Sequence, residues 1–234
     1  MKKCVLEEKL NNYENIVRAI IETFNNIDFH IIVETTIHKK ILKFDPKNKF
    51  DNDLINDLKL IINDFAKSYS TKPITFDIYK ELVKPPKPKS FRNNEIGILA
   101  DKLISSKFEE LKHKLKIIEK FERLNLNGYP DEVIFDKQGR TTYLEVKTTS
   151  RRETGSPRDF FFSPLTNSKK KITDDARHLL LCFDIDEIEE KHFLITGWCL
   201  IDLFDVKVTM KPEFNTNNLE LYKPEHIIYE QTFN

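Results

Sequence analysis

Apolar residues recur along the chain with two periods, which predict an alternation of helices and strands. Steps of three and four residues, the period of an amphipathic helix, mark residues 5–27, residues 53–69 and a segment from a cap at Asn93 or Asn94 to about residue 123. Runs rich in β-branched and aromatic residues predict strands at 29–33, 41–44 and 193–203, and a continuous apolar run predicts a strand buried on both faces at 177–183. A short helical stretch is predicted at 170–176 and an exposed acidic turn at 184–190. This alternation predicts an α/β fold.

The segment between residues 130 and 147 predicts a β-hairpin. Two β-prone runs, at 133–135 and 141–146, flank the turn-forming residues 136–139. A reversal centred on Gln138 predicts the cross-strand pairs Phe135–Thr141 and Val133–Tyr143.

The same register places two acidic residues opposite each other. Asp131 faces Glu145, and Lys147, two residues further along the strand, projects from the same face as Glu145. Opposed Cβ atoms lie about 5 Å apart, so two carboxylates there repel unless a positive charge lies between them. A divalent cation would remove this repulsion, and the lysine would help. The hairpin is therefore the candidate functional site, provided that the register holds.

These residue types suit the hydrolysis of a phosphodiester bond. Asp131 and Glu145 supply oxygen ligands for Mg²⁺, which Mn²⁺ can replace, and the backbone carbonyl of Val146 is a candidate third ligand. Lys147 either orients or deprotonates the attacking water or neutralises charge in the transition state. Glu95, on the first turn of the preceding helix, either reaches the site as a further acid or simply interacts favourably with the helix dipole.

Net charge excludes a general attraction to polyanions, because 38 basic residues balance 38 acidic ones. Between residues 150 and 171, however, six basic residues stand against two acidic ones. Hydroxyl and basic side chains contact DNA phosphates, and arginine also reads guanine edges. The candidates for DNA contact are Ser150, Arg151, Arg152, Arg158, Lys169, Lys170, Lys171 and Arg177. The alternative is a solvated loop with an aromatic anchor.

Three further features concern compartment and stability. Hydrophobic residues make up 39% of the 234 residues, which is enough for a core. The three cysteines have no close spacing, so neither a disulfide framework nor a zinc site is predicted. No apolar run is long enough to span a membrane, and the charged start does not resemble a signal peptide. We therefore expect a cytoplasmic protein with no membrane partner.

A proline-rich segment predicts a domain boundary. Three prolines between residues 85 and 88 disfavour a helix and favour an extended connector. We expect an N-terminal mainly helical subdomain at 1–84, for dimerisation or for embracing DNA, a linker at 85–92 and a core at 93–234. The lysines of the linker fit either a solvated connector or a basic strap along a DNA backbone.

Pro130-Asp131 and Glu145-Val146-Lys147 resemble the signature of the PD-(D/E)xK nuclease superfamily. The resemblance covers about residues 95–205. It implies a restriction-endonuclease-like core, in which a central mixed β-sheet is flanked by helices in the order helix, three-stranded meander, helix, strand. The size of the chain, its N-terminal segment and the Thr/Ser/Arg-rich continuation after Lys147 are most similar to a type II restriction endonuclease.

This resemblance implies Mg²⁺-dependent, sequence-specific cleavage of double-stranded DNA. Cutting both strands of a palindrome implies a homodimer with one site per strand, and a cognate DNA methyltransferase as functional companion. Two alternatives stay open. One is a nuclease for DNA repair, recombination or branched structures, and the other is a non-catalytic DNA-binding domain in which Asp131, Glu145 and Lys147 form a surface salt-bridge cluster.

Overall fold

The computed structural model describes residues 15–16, 27–82, 95–124, 128–150, 171–209 and 223–226. Its contacts divide the chain into two compact units, residues 28–207 and the two terminal segments 1–27 and 208–234. In the terminal unit, residues 15–16 are helical and Pro224–His226 form a 3₁₀ turn. The helix predicted at 5–27 lies largely outside the described residues. The larger unit carries the sheet and the candidate site.

The described helices and strands follow an α/β order. The helices are α1 (Phe29–Ile37), α2 (Lys49–Thr71), α3 (Phe76–Leu82) and α4 (Glu95–Leu111). The strands are β1 (Ile27–Asp28), β2 (Ile74–Thr75), β3 (Ile118–Arg123), β4 (Glu132–Asp136), β5 (Thr141–Thr149), β6 (Ala176–Glu189), β7 (His192–Asp202) and β8 (Lys207–Val208). The helix predicted at 53–69 is confirmed as α2.

Six of these strands form a mixed sheet in the order β2-β7-β6-β5-β4-β3. Strands β3, β4 and β5 are an antiparallel meander, β6 is parallel to β5, and β7 is antiparallel to β6. The two-residue strands β1 and β8 pair separately. The predicted class, an α/β fold with a central mixed sheet flanked by helices, is therefore confirmed, and so is the three-stranded meander that the resemblance implied.

Helices α2 and α4 cover one face of the sheet. The buried residues that they share with the strands include Leu58, Ile61, Phe65, Leu99, Ile104, Phe108, Leu144, Val146, Leu181 and Phe183. Removal of this apolar surface from water is the main favourable term in folding. Helix α2 precedes the predicted linker at 85–92 and α4 follows it, so described residues on both sides share one core. The linker itself lies outside the described residues, and the role assigned to residues 1–84 stays a prediction.

The predicted strand at 29–33 is wrong, because these residues begin helix α1. The buried side chains of α1 lie four residues apart and are Phe29, Val33 and Ile37. This helical spacing outweighs the β-branched content of the segment. The strand predicted at 41–44 is reduced to one isolated bridge between Ile41 and Ala176.

The helix predicted to continue to about residue 123 is too long. Helix α4 ends at Leu111, a 3₁₀ turn follows, and β3 begins at Ile118. The carboxylate of Asp57, on α2, accepts hydrogen bonds from the backbone amides of Lys116, Ile117 and Ile118 at 2.9, 2.7 and 2.9 Å. These bonds come from a distant helix and fix the chain where the strand begins, which local periodicity does not reveal.

The β4–β5 hairpin has the predicted register. Its cross-strand pairs include Phe135–Thr141 and Val133–Tyr143. In the turn, the side chain of Asp136 accepts hydrogen bonds from the amides of Gln138 and Arg140 at 2.8 and 3.0 Å. Gly139 has a φ of 74°, in the left-handed region that favours glycine. Local turn chemistry therefore sets the register of the strands that carry the candidate site.

The strands predicted at 177–183 and 193–203 are confirmed as β6 and β7. Strand β6 continues through the predicted turn at 184–190, so that turn is wrong and the chain reverses at residues 190–191. The helix predicted at 170–176 is wrong over its described part, where Lys171 alone is helical. Cys182 and Cys199 are directly opposed across the β6–β7 ladder.

Candidate active site

Strand β5 carries two of the predicted site residues on one face. Leu144 and Val146 point into the core under the helices, so the alternation of a strand directs Glu145 and Lys147 to the opposite face. The ammonium of Lys147 forms an ion pair with Glu145 Oε1. Glu145 is 3% exposed, whereas the side chain of Lys147 is 45% exposed. The pair thus combines a buried carboxylate with an ammonium that reaches solvent.

Asp131 lies across the hairpin from this pair. It precedes β4, and its Oδ2 accepts a hydrogen bond from the backbone amide of Val146 at 3.0 Å. The structure therefore brings Asp131, Glu145 and Lys147 together, as the register predicts. The contact uses the amide of Val146, and the function of its carbonyl as a ligand stays a prediction.

The electrostatics of the two acids favour a bound cation. Burial and then the Asp131 carboxylate raise the pKa of Glu145 to about 7, against the opposing effect of Lys147. Burial also raises the pKa of Asp131, whereas the hydrogen bond from the Val146 amide and the charge of Lys147 lower it. Glu145 Oε2 is buried without a hydrogen-bond partner. A divalent cation would satisfy this oxygen and stabilise both carboxylates in their ionised form.

The donor set fits a hard cation that keeps part of its water shell. Among the described residues, no group of three or more His, Cys, Asp or Glu side chains could hold a metal ion. Two carboxylates are nevertheless enough for Mg²⁺, which is commonly bound through one or two carboxylates and several waters. Glu95 begins helix α4, but its side chain lies outside the described residues, so its participation stays a prediction.

Two of the basic residues predicted to contact DNA are buried. Arg177 is 9% exposed, and its Nη2 lies 2.5 Å from Asp51 Oδ1. Lys171 is 4% exposed, and its ammonium donates to backbone carbonyls. The assignment of these two residues to an exposed DNA-facing surface is therefore corrected. Ser150 is exposed at the end of β5, and the other candidates lie outside the described residues, namely Arg151, Arg152, Arg158, Lys169 and Lys170.

A buried acidic pair next to the site was missed by the sequence reasoning. Glu132 is fully buried, and Ser105 donates a hydrogen bond to its Oε1 at 2.8 Å. Burial, and then the neighbouring Asp101 carboxylate, raise the pKa of Glu132 to about 10. Asp101 pairs with Arg123 at 2.7 Å, while Asp101 Oδ1 and Glu132 Oε2 find no partner. A proton on Glu132, donated to Asp101, satisfies both oxygens. The sequence did contain a signal for this buried acid. Asp131 and Glu132 are adjacent, and adjacent residues of a strand point to opposite faces, so Glu132 points away from the site.

An aromatic cluster behind the site was also missed. The hydroxyl of Tyr129 lies 2.6 Å from His178 Nδ1, and both residues are buried. Burial lowers the pKa of His178 to about 3, so the ring is neutral at pH 7. Tyr143 packs on the same ring with a centroid distance of 5.0 Å. No local pattern predicts this cluster, because its members come from three separate segments.

The mixed sheet and its meander agree with a restriction-endonuclease-like core, and the acid-x-lysine pair lies on one of the inner strands of that sheet. Comparison with known proteins narrows this class. The family model "Type II restriction enzyme MjaV family" matches residues 23–225. The chain is also 31% identical over 225 residues to the type II restriction enzyme MjaV of Methanocaldococcus jannaschii. The aligned region covers 93% of this chain and 94% of that protein. No solved structure matches the chain.

The chain therefore belongs to the MjaV family of type II restriction enzymes. This confirms the predicted resemblance to a type II restriction endonuclease and the predicted enzyme class, a site-specific deoxyribonuclease. Type II restriction enzymes generally use divalent metal ions, in agreement with the paired acids of the hairpin. Among the described residues, no helix is long and apolar enough to cross a membrane.

Proposed function

We propose that the chain is a Mg²⁺-dependent endonuclease that cuts double-stranded DNA at a specific sequence with Asp131, Glu145 and Lys147. The observation that carries this proposal is the convergence of the three residues. One buried acid, one acid held across the hairpin by the Val146 amide, and one lysine meet on a single face of β5. Family membership supports the same activity.

Each residue has a distinct chemical role in the proposed reaction. Asp131 and Glu145 would hold the cation, either Mg²⁺ or Mn²⁺, which when bound would supply polarisation of the scissile phosphate and a more acidic water. Lys147 is held beside Glu145 and extends to solvent, so its ammonium lies where it can orient the attacking water or neutralise the charge that develops on the phosphate. The burial of Glu145 excludes water from one side of the site and strengthens these interactions.

Substitution in matched pairs tests this assignment. Glu145→Gln and Lys147→Met should each slow Mg²⁺-dependent cleavage by at least about 100-fold, as expected for a catalytic group. DNA affinity measured with Ca²⁺ in place of Mg²⁺ should stay close to that of the wild type. The control is a similar pair on β3, Lys120 and Glu122, whose ion pair of 2.5 Å also joins residues two apart on one strand. Lys120→Met and Glu122→Gln should cut normally.

Two results would contradict the proposal. Full cleavage by either variant of the hairpin pair would refute the site. Digestion of an unmodified plasmid distinguishes the kinds of activity, since a reproducible fragment ladder is the expected product, whereas cleavage of junctions or flaps alone points to a structure-specific nuclease. A protein that binds DNA and cuts no substrate with Mg²⁺ or Mn²⁺ would be a non-catalytic DNA-binding domain.

The expected partners follow from cutting two strands. We propose a two-fold homodimer, with one site for each strand, and a companion methyltransferase that protects host DNA in the cytoplasm. Mass measurement by analytical ultracentrifugation tests the dimer, and a monomer both free and on DNA would exclude it.

A further inference from the structure

A buried lysine lies immediately beside the proposed metal-binding acids. The ammonium of Lys171 donates hydrogen bonds to the backbone carbonyl of Pro130 at 2.6 Å and to that of Gly128. A buried ammonium is unfavourable unless hydrogen bonds and opposite charges compensate it. Burial lowers the pKa of Lys171, and the carboxylates of Asp131 and Glu145 oppose this effect. The charge of the lysine therefore acts on the same two acids that would hold the cation.

The contacts of Lys171 hold the segment that carries Asp131. Pro130, whose carbonyl it binds, is the residue directly before Asp131. On the other side of that aspartate, the Val146 amide holds its carboxylate at 3.0 Å, and the Leu124 amide holds its carbonyl at 2.8 Å. Asp131 lies outside the regular part of β4, so these three contacts take the place of a strand ladder in fixing it.

We propose that Lys171 is a positioning residue of the cleavage site. Its hydrogen bonds fix residues 128–130, so that the Asp131 carboxylate stays opposite Glu145, where both acids can bind the same cation. This role differs from contact with DNA and rests on the proposed function of the hairpin. A displacement of about 1 Å at a catalytic group can cost about 100-fold in rate, so loss of these hydrogen bonds should be visible in the chemical step.

Metal affinity distinguishes the positioning role from a purely electrostatic one, because the two roles predict opposite changes in cation binding when Lys171 is replaced. Lys171→Met removes a positive charge close to two carboxylates, which alone would tighten the binding of a cation. If the lysine positions Asp131, the same substitution displaces a ligand and weakens the binding. The measurement is the dissociation constant of Mn²⁺ for the DNA-free protein by titration calorimetry, together with single-turnover cleavage with Mg²⁺.

Lys137 provides a matched control. Its ammonium also donates to two backbone carbonyls, those of Leu115 and Lys116 at 3.3 and 2.8 Å, but it is exposed in the hairpin turn. Lys171→Met should raise the Mn²⁺ dissociation constant at least about fivefold and slow cleavage at least about tenfold. Lys137→Met should change neither quantity, and Lys171→Arg, which keeps charge and donors, should recover part of both losses.

Tighter or unchanged Mn²⁺ binding in Lys171→Met would overturn the inference, and so would cleavage at the wild-type rate. Circular dichroism checks that the variant is folded. If it is not, Lys171→Gln, which keeps a hydrogen-bonding amide but no charge, is tested in the same way. Weaker Mn²⁺ binding by this variant supports the positioning role, and tighter or unchanged binding refutes it. Retained cleavage in Glu145→Gln would refute the proposed site itself, whereas normal Lys171 variants beside an inactive Glu145→Gln would refute the positioning role alone.

Discussion

The buried pair of Glu132 and Asp101 makes stability depend on pH in a way that one substitution should remove. Burial, together with the neighbouring Asp101 carboxylate, raises the pKa of Glu132 from 4.5 to about 10. Between these values the unfolded chain releases the proton while the folded protein keeps it, so stability falls as the pH rises. Glutamine has the same shape as the protonated acid and offers an amide donor to Asp101 in place of the proton. Glu132→Gln should therefore keep the contacts and lose the pH dependence.

The size of the effect follows from the linkage between proton binding and folding. Each pH unit between the two pKa values costs about 1.4 kcal/mol of stability. From pH 5.5 to pH 8, the free energy of unfolding of the wild type should fall by up to about 3 kcal/mol relative to that of Glu132→Gln. This difference isolates Glu132, since titration of the other groups is common to both proteins.

Urea denaturation followed by circular dichroism at the two pH values measures this difference. Glu119→Gln removes an exposed glutamate from the neighbouring strand β3 and is the matched control for the loss of one carboxylate. An equal stability difference between Glu132→Gln and wild type at pH 5.5 and pH 8 would show that Glu132 does not keep its proton on folding. A loss of stability in Glu132→Gln at pH 8 would show that the acid is ionised in the folded protein.

Three further predictions concern contacts that cross the fold. Asp57→Ala removes the acceptor of three backbone amides and should lower the free energy of unfolding by about 2–4 kcal/mol in urea. Arg177→Met leaves Asp51 buried without its partner and should cost about 3–5 kcal/mol, while DNA affinity in filter binding stays unchanged because the arginine is buried. Diamide should oxidise Cys182 and Cys199 to a disulfide, since directly opposed strand residues lie within disulfide range. Peptide mass spectrometry detects the cross-link, and alkylation of both Cys182 and Cys199 after treatment would contradict it.

The hairpin could be predicted because its determinants are local. Turn formers lie between two β-prone runs, and the side-chain period of two then fixes which residues face each other. The pairs Val133–Tyr143 and Phe135–Thr141 follow from this rule, and with them the position of Asp131 beside Glu145. The buried strand β6 could also be predicted from the sequence, since a continuous apolar run is typical of a strand covered on both faces.

Two of the errors arose where distant contacts decide the local structure or the burial of a side chain. The apolar spacing of α4 continues past Leu111, but the carboxylate of Asp57 binds the amides that open β3. Lys171 and Arg177 have the composition of a DNA-binding segment, yet one binds carbonyls beside Asp131 and the other binds Asp51. Such pairings depend on the tertiary fold, so charge along the sequence did not separate buried cations from exposed ones.

The alternation of residues along β5 separates the mutational routes to lost stability and lost activity. Leu144 and Val146 pack in the core, while Glu145 and Lys147 face the site. A mutational scan that scores abundance and cleavage separately should show a period of two, with abundance lost at one set and cleavage at the other. A one-residue insertion or deletion would exchange the two sets. We therefore expect insertions and deletions to be accepted in the connections at the ends of β5 and not within the strand.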